Sequence, residues 1–159
     1  MDKLIYKHSQ LLQALSSMGK AIATLQDLES RGHTFNPKVD YEEQYKTARD
    51  SLIQRFEYSI DLLWKYLKTY LEEAHVPLEL KIPGEVVRQA FSLAILSEQE
   101  AEQMLRIIKS RNITLHVYVD EIAEQLADEI PKYFPTLRPI VDRLKPPISL
   151  KSGVGKSQV

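Results

Sequence analysis

The sequence contains no cysteine and only five glycines among its 159 residues. The missing thiols exclude a disulfide framework, thiolate zinc sites and cysteine nucleophiles. The low glycine content and the lack of alternating strand patterns between hairpin turns argue against a β-sheet protein. Apolar runs fall far short of the roughly 20 residues that span a bilayer, and the first thirty residues lack the apolar block of a signal peptide. We therefore expect a cytoplasmic protein that makes no membrane contact.

Charge of neither sign dominates, because 21 Lys and Arg residues balance 22 Asp and Glu residues and leave a formal net charge of −1. Any contact with nucleic acid must therefore come from a local patch. Residues 131–159 carry such a surplus, with six cations against Asp142 alone. We expect one helical domain over residues 1–145 and a flexible basic tail over residues 146–159. The tail fits either a solvated end or an arm that contacts phosphate.

Apolar residues recur at steps of three and four along most of the chain, which predicts helices. Asp40 with Glu43, and Ser97 with Glu100, have the spacing of capping boxes. The predicted helical segments are, in order, residues 4–25, 41–74, 85–96, 97–111 and 122–144, the last continuing through three prolines with a kink. This pattern predicts an all-α antiparallel bundle of about five helices with a four-helix up-and-down core.

Polar residues cluster in one segment, Ser110–Tyr118, at the boundary between two predicted helices. On a continuous helix Arg111 and His116 would lie about 140° apart, so they converge only through a break, a bend or a second chain. Asn112 can end the preceding helix, and Asp120 can cap the next one. From these residues alone, a helix corner with an exposed arginine and histidine explains the pattern as well as a catalytic site does.

The stretch Arg111-Asn112-x-x-x-His116-x-Tyr118 resembles the Arg-x4-His-x-Tyr signature of HEPN-domain proteins. In particular, the chain is similar to the small stand-alone branch of nucleotidyltransferase substrate-binding or HepT-like toxin proteins. The likeness extends from the first helix to about Leu144. It implies a helical bundle, commonly a homodimer, whose two motif segments face one another across the interface.

The resemblance also implies a metal-independent ribonuclease toxin that uses no cofactor. His116 would act as general base or acid on the ribose 2′-OH or the leaving 5′-oxygen of RNA. Arg111 would stabilise charge on the phosphorane-like transition state, and Asn112 would orient the site. Tyr118 would be the residue to which a minimal nucleotidyltransferase antitoxin transfers AMP, a modification that places negative phosphate beside Arg111 and blocks activity.

Two other interpretations remain open at this point. In one, the protein is a non-catalytic binding subunit whose dimer presents a helical groove to the nucleotidyltransferase or to a nucleotide. In the other, it is a structural dimeric bundle with a chance motif. The helix after the motif is also acidic and would repel RNA unless its carboxylates point away from the cleft; they are Asp120, Glu121, Glu124, Asp128 and Glu129.

Overall fold

The computed structural model describes residues 2–31 and 40–146, and in these ranges it consists of helices without any strand. The elements are α1 (Asp2–Arg31), α2 (Tyr41–Glu73), α3 (Pro83–Ser92), α4 (Glu98–Ile113), a 3-10 turn (Thr114–His116) and α5 (Asp120–Arg143). The predicted all-α class with five helices is thereby confirmed. The predicted tail lies outside the described residues from position 147 onward.

The two longest helices form the spine of the bundle. With 30 and 33 residues, α1 and α2 are about 45 and 50 Å long. Lys7 contacts Thr69 at one end, while Arg55 donates to the backbone oxygen of Ser17 nearer the other, so the helices run antiparallel. Their apolar stripes bury fully against each other and against α5, with Leu11, Leu15, Met18, Leu52, Phe56 and Ile60 among the most buried side chains.

The capping signals explain where two of the helices begin. The Asp40 carboxylate accepts the backbone N–H of Glu43 at 3.1 Å, as the spacing predicted. The hydroxyl of Ser97 accepts the backbone N–H of Glu100 at 3.1 Å, and the Glu100 carboxylate accepts the N–H of Ser97 at 2.9 Å. This second pair is a complete capping box.

Two predictions about the corner between α4 and α5 were wrong in detail. Asn112 does not end α4, which continues to Ile113 and is closed by the hydroxyl of Thr114, donating to the backbone oxygen of Arg111 at 2.7 Å. Asp120 does not cap α5: the N-cap position is Val119, without a side-chain cap, and Asp120 is the first helical residue. Its carboxylate instead accepts a hydrogen bond from α2, which explains why it is not free to cap.

Helix α5 continues through Pro131, Pro135 and Pro139 to Arg143. Each proline removes one backbone donor, so packing of the buried apolar face of α5 must compensate. The C-terminal end is also fixed by side chains. Arg143 binds the Glu100 carboxylate through two hydrogen bonds of 2.7 Å, and the Tyr66 hydroxyl donates to the backbone oxygen of Leu144. In the ranges described, no helix has the length and apolar character needed to cross a bilayer.

Candidate functional site

The motif segment forms the corner between α4 and α5. Helix α4 ends at Ile113, the 3-10 turn Thr114–His116 follows, and α5 begins at Asp120. The backbone N–H of Val119 donates to the oxygen of His116 at 3.0 Å and closes the turn. The chain therefore breaks between the two motif residues, which is one of the conditions that their spacing required.

Arg111 is fixed against α2 by two carboxylates. Its Nε donates to Asp61 Oδ1 at 2.8 Å, and its Nη2 donates to Asp61 Oδ2 at 2.9 Å and to Glu57 Oε1 at 3.3 Å. The Arg111 guanidinium holds the pKa of Asp61 below its usual value, chiefly through these hydrogen bonds, and Asp61 in turn raises the pKa of Arg111. Nη1 makes no hydrogen bond within the described ranges, so two N–H donors of a fixed guanidinium stay available to a ligand.

A surface pocket of about 290 Å³ opens beside this guanidinium. It is lined by Ile60, Asp61, Trp64, Pro83, Ile108, Arg111 and Asn112. Arg111 and Asn112 thus line the same pocket. The combination of an indole, aliphatic walls and a guanidinium can accept a flat ring and an anionic group side by side.

His116 and Tyr118 lie outside that pocket, on the exposed side of the corner. Their ring centroids are 6.1 Å apart, with the planes at 65°, which is an edge-to-face contact. The side chain of Tyr118 is 79% exposed, and its neighbour Leu115 is 71% exposed. No hydrogen bond joins His116 to Arg111 within the described chain, so the motif residues form two pairs rather than one cluster.

The acidic face of α5 is partly neutralised by a buried arginine that sequence reasoning missed. Arg49 is only 4% exposed, and it donates to Glu124 at 2.9 Å and to Asp120 at 3.2 Å. Tyr45 donates to the second oxygen of Glu124 at 2.6 Å, and burial with this carboxylate contact raises the pKa of Tyr45. Two of the five acids therefore point toward α2.

A third acid of α5 is engaged within the bundle as well. The Glu129 carboxylate accepts the hydroxyl of Ser110 at 3.3 Å and that of Tyr133 at 3.4 Å. Glu121 and Asp128 are exposed, and so is Asp120, whose side chain stays 66% exposed although it pairs with Arg49. The charge facing solvent on this helix is thus smaller than its composition implies. Among the residues described, no three His, Asp or Glu side chains come together as a group that could hold a metal ion.

Sequence reasoning also missed Asp61 and Trp64, which complete the Arg111 pocket. Both belong to α2, some fifty residues before Arg111. In the sequence, neither differs from the other residues of an amphipathic helix. The one available signal was their helical spacing, since Glu57, Asp61 and Trp64 recur at steps of four and three and must share a face. Which helix packs on that face is decided by the tertiary fold.

Comparison with known proteins identifies a family and similar solved structures. Residues 7–146 match the family model described as nucleotidyltransferase substrate binding protein like. A protein of Thermus thermophilus, known from its crystal structure, is 31% identical, with a TM-score of 0.58 over 81% of this chain and 99% of its own. No curated protein matches the chain.

Proposed function

The chain belongs to the nucleotidyltransferase substrate-binding protein family, which is HEPN-like, and from that membership we propose that it is a metal-independent ribonuclease toxin. The observation that carries the proposal is the corner between α4 and α5. It holds the complete Arg-x4-His-x-Tyr motif with a fixed Arg111 on one side and an accessible His116 on the other. RNA is the substrate class that these two groups suit.

In the proposed reaction the fixed guanidinium binds the scissile phosphate through the two donors of Nη1. The imidazole of His116 takes the proton of the ribose 2′-OH, and the 2′-oxygen attacks phosphorus while the bond to the 5′-oxygen breaks. The leaving oxygen takes a proton from a general acid. The products are a 2′,3′-cyclic phosphate and a 5′-hydroxyl, and the charge that develops on the phosphoryl oxygens is stabilised by Arg111.

One imidazole cannot serve as general base and general acid at once, so the reaction favours a homodimer in which a second copy supplies the other. The surface next to His116 supports this arrangement. Leu115, Tyr118 and Val119 expose 71%, 79% and 37% of their surfaces at one corner of the bundle. Such adjoining exposed apolar side chains are typical of a surface that a partner covers.

The exposed Tyr118 is the proposed site of control by a minimal nucleotidyltransferase antitoxin. Its hydroxyl has no hydrogen-bond partner in the described part of the chain, so it is accessible for modification. Transfer of AMP would join this oxygen to the α-phosphorus of ATP and release pyrophosphate. The added phosphate would sit beside His116, whose ring already contacts Tyr118, and would exclude the RNA phosphate by like-charge repulsion.

A second candidate is a non-catalytic subunit that binds a nucleotide or the nucleotidyltransferase. It is favoured by the two carboxylates already on Arg111, since Asp61 and Glu57 neutralise part of the charge that a transition state would need. In that case Arg111 would hold phosphate and His116 would have no role.

Cleavage of total cellular RNA in EDTA, with mapping of the 3′ ends, separates the two candidates. The matched control for His116→Ala is His75→Ala, because His75 is an exposed histidine in the turn that follows α2. We expect cyclic-phosphate ends with the wild type and the control, and none with His116→Ala. Equal cleavage by all three proteins, or none by the wild type, contradicts the ribonuclease and favours the binding subunit.

A further inference from the structure

Four lysines from two helices form a cluster where α1 begins and α2 ends. This lysine cluster consists of Lys3 and Lys7 on α1 and Lys65 and Lys68 on α2. Lys7 donates to the Thr69 hydroxyl at 3.0 Å, which brings the two helices together there. Partial burial lowers the pKa of Lys7, and the positive charges of Lys3, Lys68 and Lys65 lower it further. These ammonium groups therefore repel one another across the helix pair.

Two carboxylates near the lysine cluster are paired with other cations. The negative charge of Glu72 raises the pKa of Lys7, but the Glu72 carboxylate is paired with Lys81, whose ammonium lies 3.7 Å away. The positive charge of Lys65 helps to lower the pKa of Asp61, but the Asp61 carboxylate is bound by Arg111. Neither Glu72 nor Asp61 forms an ion pair with any of the four lysines. A polyanion would relieve their repulsion.

Trp64 connects the lysine cluster to the Arg111 pocket. The Nζ atoms of Lys65 and Lys68 each lie 5.9 Å from the centre of the indole ring. The same indole lines the pocket that contains Arg111 and Asn112. Positive charge, an aromatic surface and the fixed guanidinium therefore follow one another along one face of the bundle.

We propose that the lysine cluster and Trp64 form a binding surface for single-stranded RNA that extends from the Arg111 site. Ammonium groups would contact successive phosphates, and a base would stack on the indole. The proposal rests on the proposed function insofar as RNA is the substrate. A single strand is required because a duplex keeps its bases stacked on each other. A membrane surface fits less well, since Trp64 is half-buried in a pocket rather than projecting from the surface.

The test uses the full-length protein and a labelled 2′-O-methyl oligonucleotide of mixed sequence, which cannot react because its 2′-hydroxyls are blocked. Binding is measured by anisotropy at several salt concentrations, and stacking by the fluorescence of Trp64, the one tryptophan of the sequence. We expect quenching on binding. We also expect Lys65→Gln with Lys68→Gln to lower the slope of log affinity against log salt by about 1.4, at roughly 0.7 per lost phosphate contact.

Two sets of control variants show whether binding depends on these particular residues. Lys20→Gln with Lys132→Gln removes the same charge from exposed positions elsewhere, Lys20 being 13 residues or about 20 Å along α1 from Lys7, and it should leave the slope unchanged. Trp64→Ala should weaken binding about 5- to 100-fold, whereas Trp64→Phe, which keeps an aromatic face, should retain most of it.

The proposal is overturned if both lysine pairs alter binding equally, because net charge would then explain the effect, or if neither pair does. Unquenched Trp64 fluorescence in the bound state also overturns it. If the oligonucleotide binds at this surface but natural RNA is not cleaved, the ribonuclease proposal is contradicted and the binding surface is still supported. If the Lys65 and Lys68 substitutions change neither the affinity nor the cleavage of natural RNA, the ribonuclease proposal is supported and the binding surface is contradicted.

Discussion

Asp61 on α2 and Arg111 on α4 are joined by two parallel hydrogen bonds of 2.8 and 2.9 Å. This pairing uses one edge of the guanidinium and leaves Nη1 without a hydrogen bond in the described ranges, so Asp61, with Glu57, orients the arginine without occupying all of its donors. Asp61 is therefore a positioning residue for Arg111. The pair also ties α4 to the spine of the bundle next to the motif corner.

The Asp61 to Arg111 pair makes stability depend on pH in a defined direction. Because Arg111 lowers the pKa of Asp61, the ionised carboxylate stabilises the fold above the unfolded-state pKa of about 3.9, and this contribution is lost as the pH falls through the lower folded-state pKa. We expect Asp61→Asn to reduce the free energy of unfolding by about 1 kcal/mol at pH 7, a modest value because the Asp61 side chain is 32% exposed.

Urea unfolding of the wild type and Asp61→Asn at several pH values measures this difference. It should shrink as the pH is lowered below about 4. Asp142→Asn is the control, since Asp142 pairs with Arg138 at the surface, where both side chains are about half exposed. A pH-independent difference between wild type and Asp61→Asn would contradict the assignment.

Arg49 should be among the most sensitive positions of the fold. Its removal takes the buried partner from Glu124 and Asp120; because these carboxylates stay 43% and 66% exposed, the loss is that of charge-assisted hydrogen bonds and of side-chain packing, about 2 kcal/mol. Arg49→Ala should therefore lower the urea midpoint strongly, whereas Arg106→Ala, at an exposed position of α4, should not. Equal midpoints for the two variants would mean that the buried network contributes no net stability.

The capping box of α4 predicts a smaller effect. Ser97→Ala removes the acceptor of the Glu100 N–H, and such a loss is typically about 1 kcal/mol. Ser92→Ala is a suitable comparison, because the Ser92 hydroxyl only donates to the backbone oxygen of Gln89 within α3. Thermal unfolding should show the larger shift for Ser97→Ala, and the opposite order would count against the cap.

Modification should be confined to one exposed tyrosine. When the protein is incubated with its partner nucleotidyltransferase and labelled ATP, we expect label on the wild type and on Tyr58→Phe, but not on Tyr118→Phe. Tyr58 is a matched control because it is also exposed, at 56% against 79% for Tyr118. Label retained by Tyr118→Phe would remove this residue as the control point.

Most helix boundaries could be predicted because they depend on local chemistry. The stripe spacing and the Asp40 cap give α2 to within one residue at its C-terminal end, and the Ser97 box marks the start of α4. Asp120 shows the limit of this reasoning. A carboxylate at a helix start predicts a cap, but here a buried arginine 71 residues earlier competes successfully for it.

The site could be predicted only where its residues are neighbours in sequence. The motif located Arg111, Asn112, His116 and Tyr118, whereas Asp61 and Trp64 enter through the packing of α2 on α4. The lysine cluster could not be predicted from the sequence for the same reason. Lys3 and Lys7 are separated from Lys65 by about sixty residues, and a charge count along the chain does not show that two helices bring them together.

The central claim is that His116 carries proton transfer while Arg111 holds phosphate, and the most direct measurement is the initial rate of cleavage of one labelled RNA in EDTA. The same proteins are assayed for binding of the non-cleavable oligonucleotide. We predict that His116→Ala loses about 10²- to 10⁴-fold in rate with unchanged affinity, and that Arg111→Ala loses both. An unchanged rate in His116→Ala, or no cleavage by the dimeric, unmodified wild type, would contradict the claim.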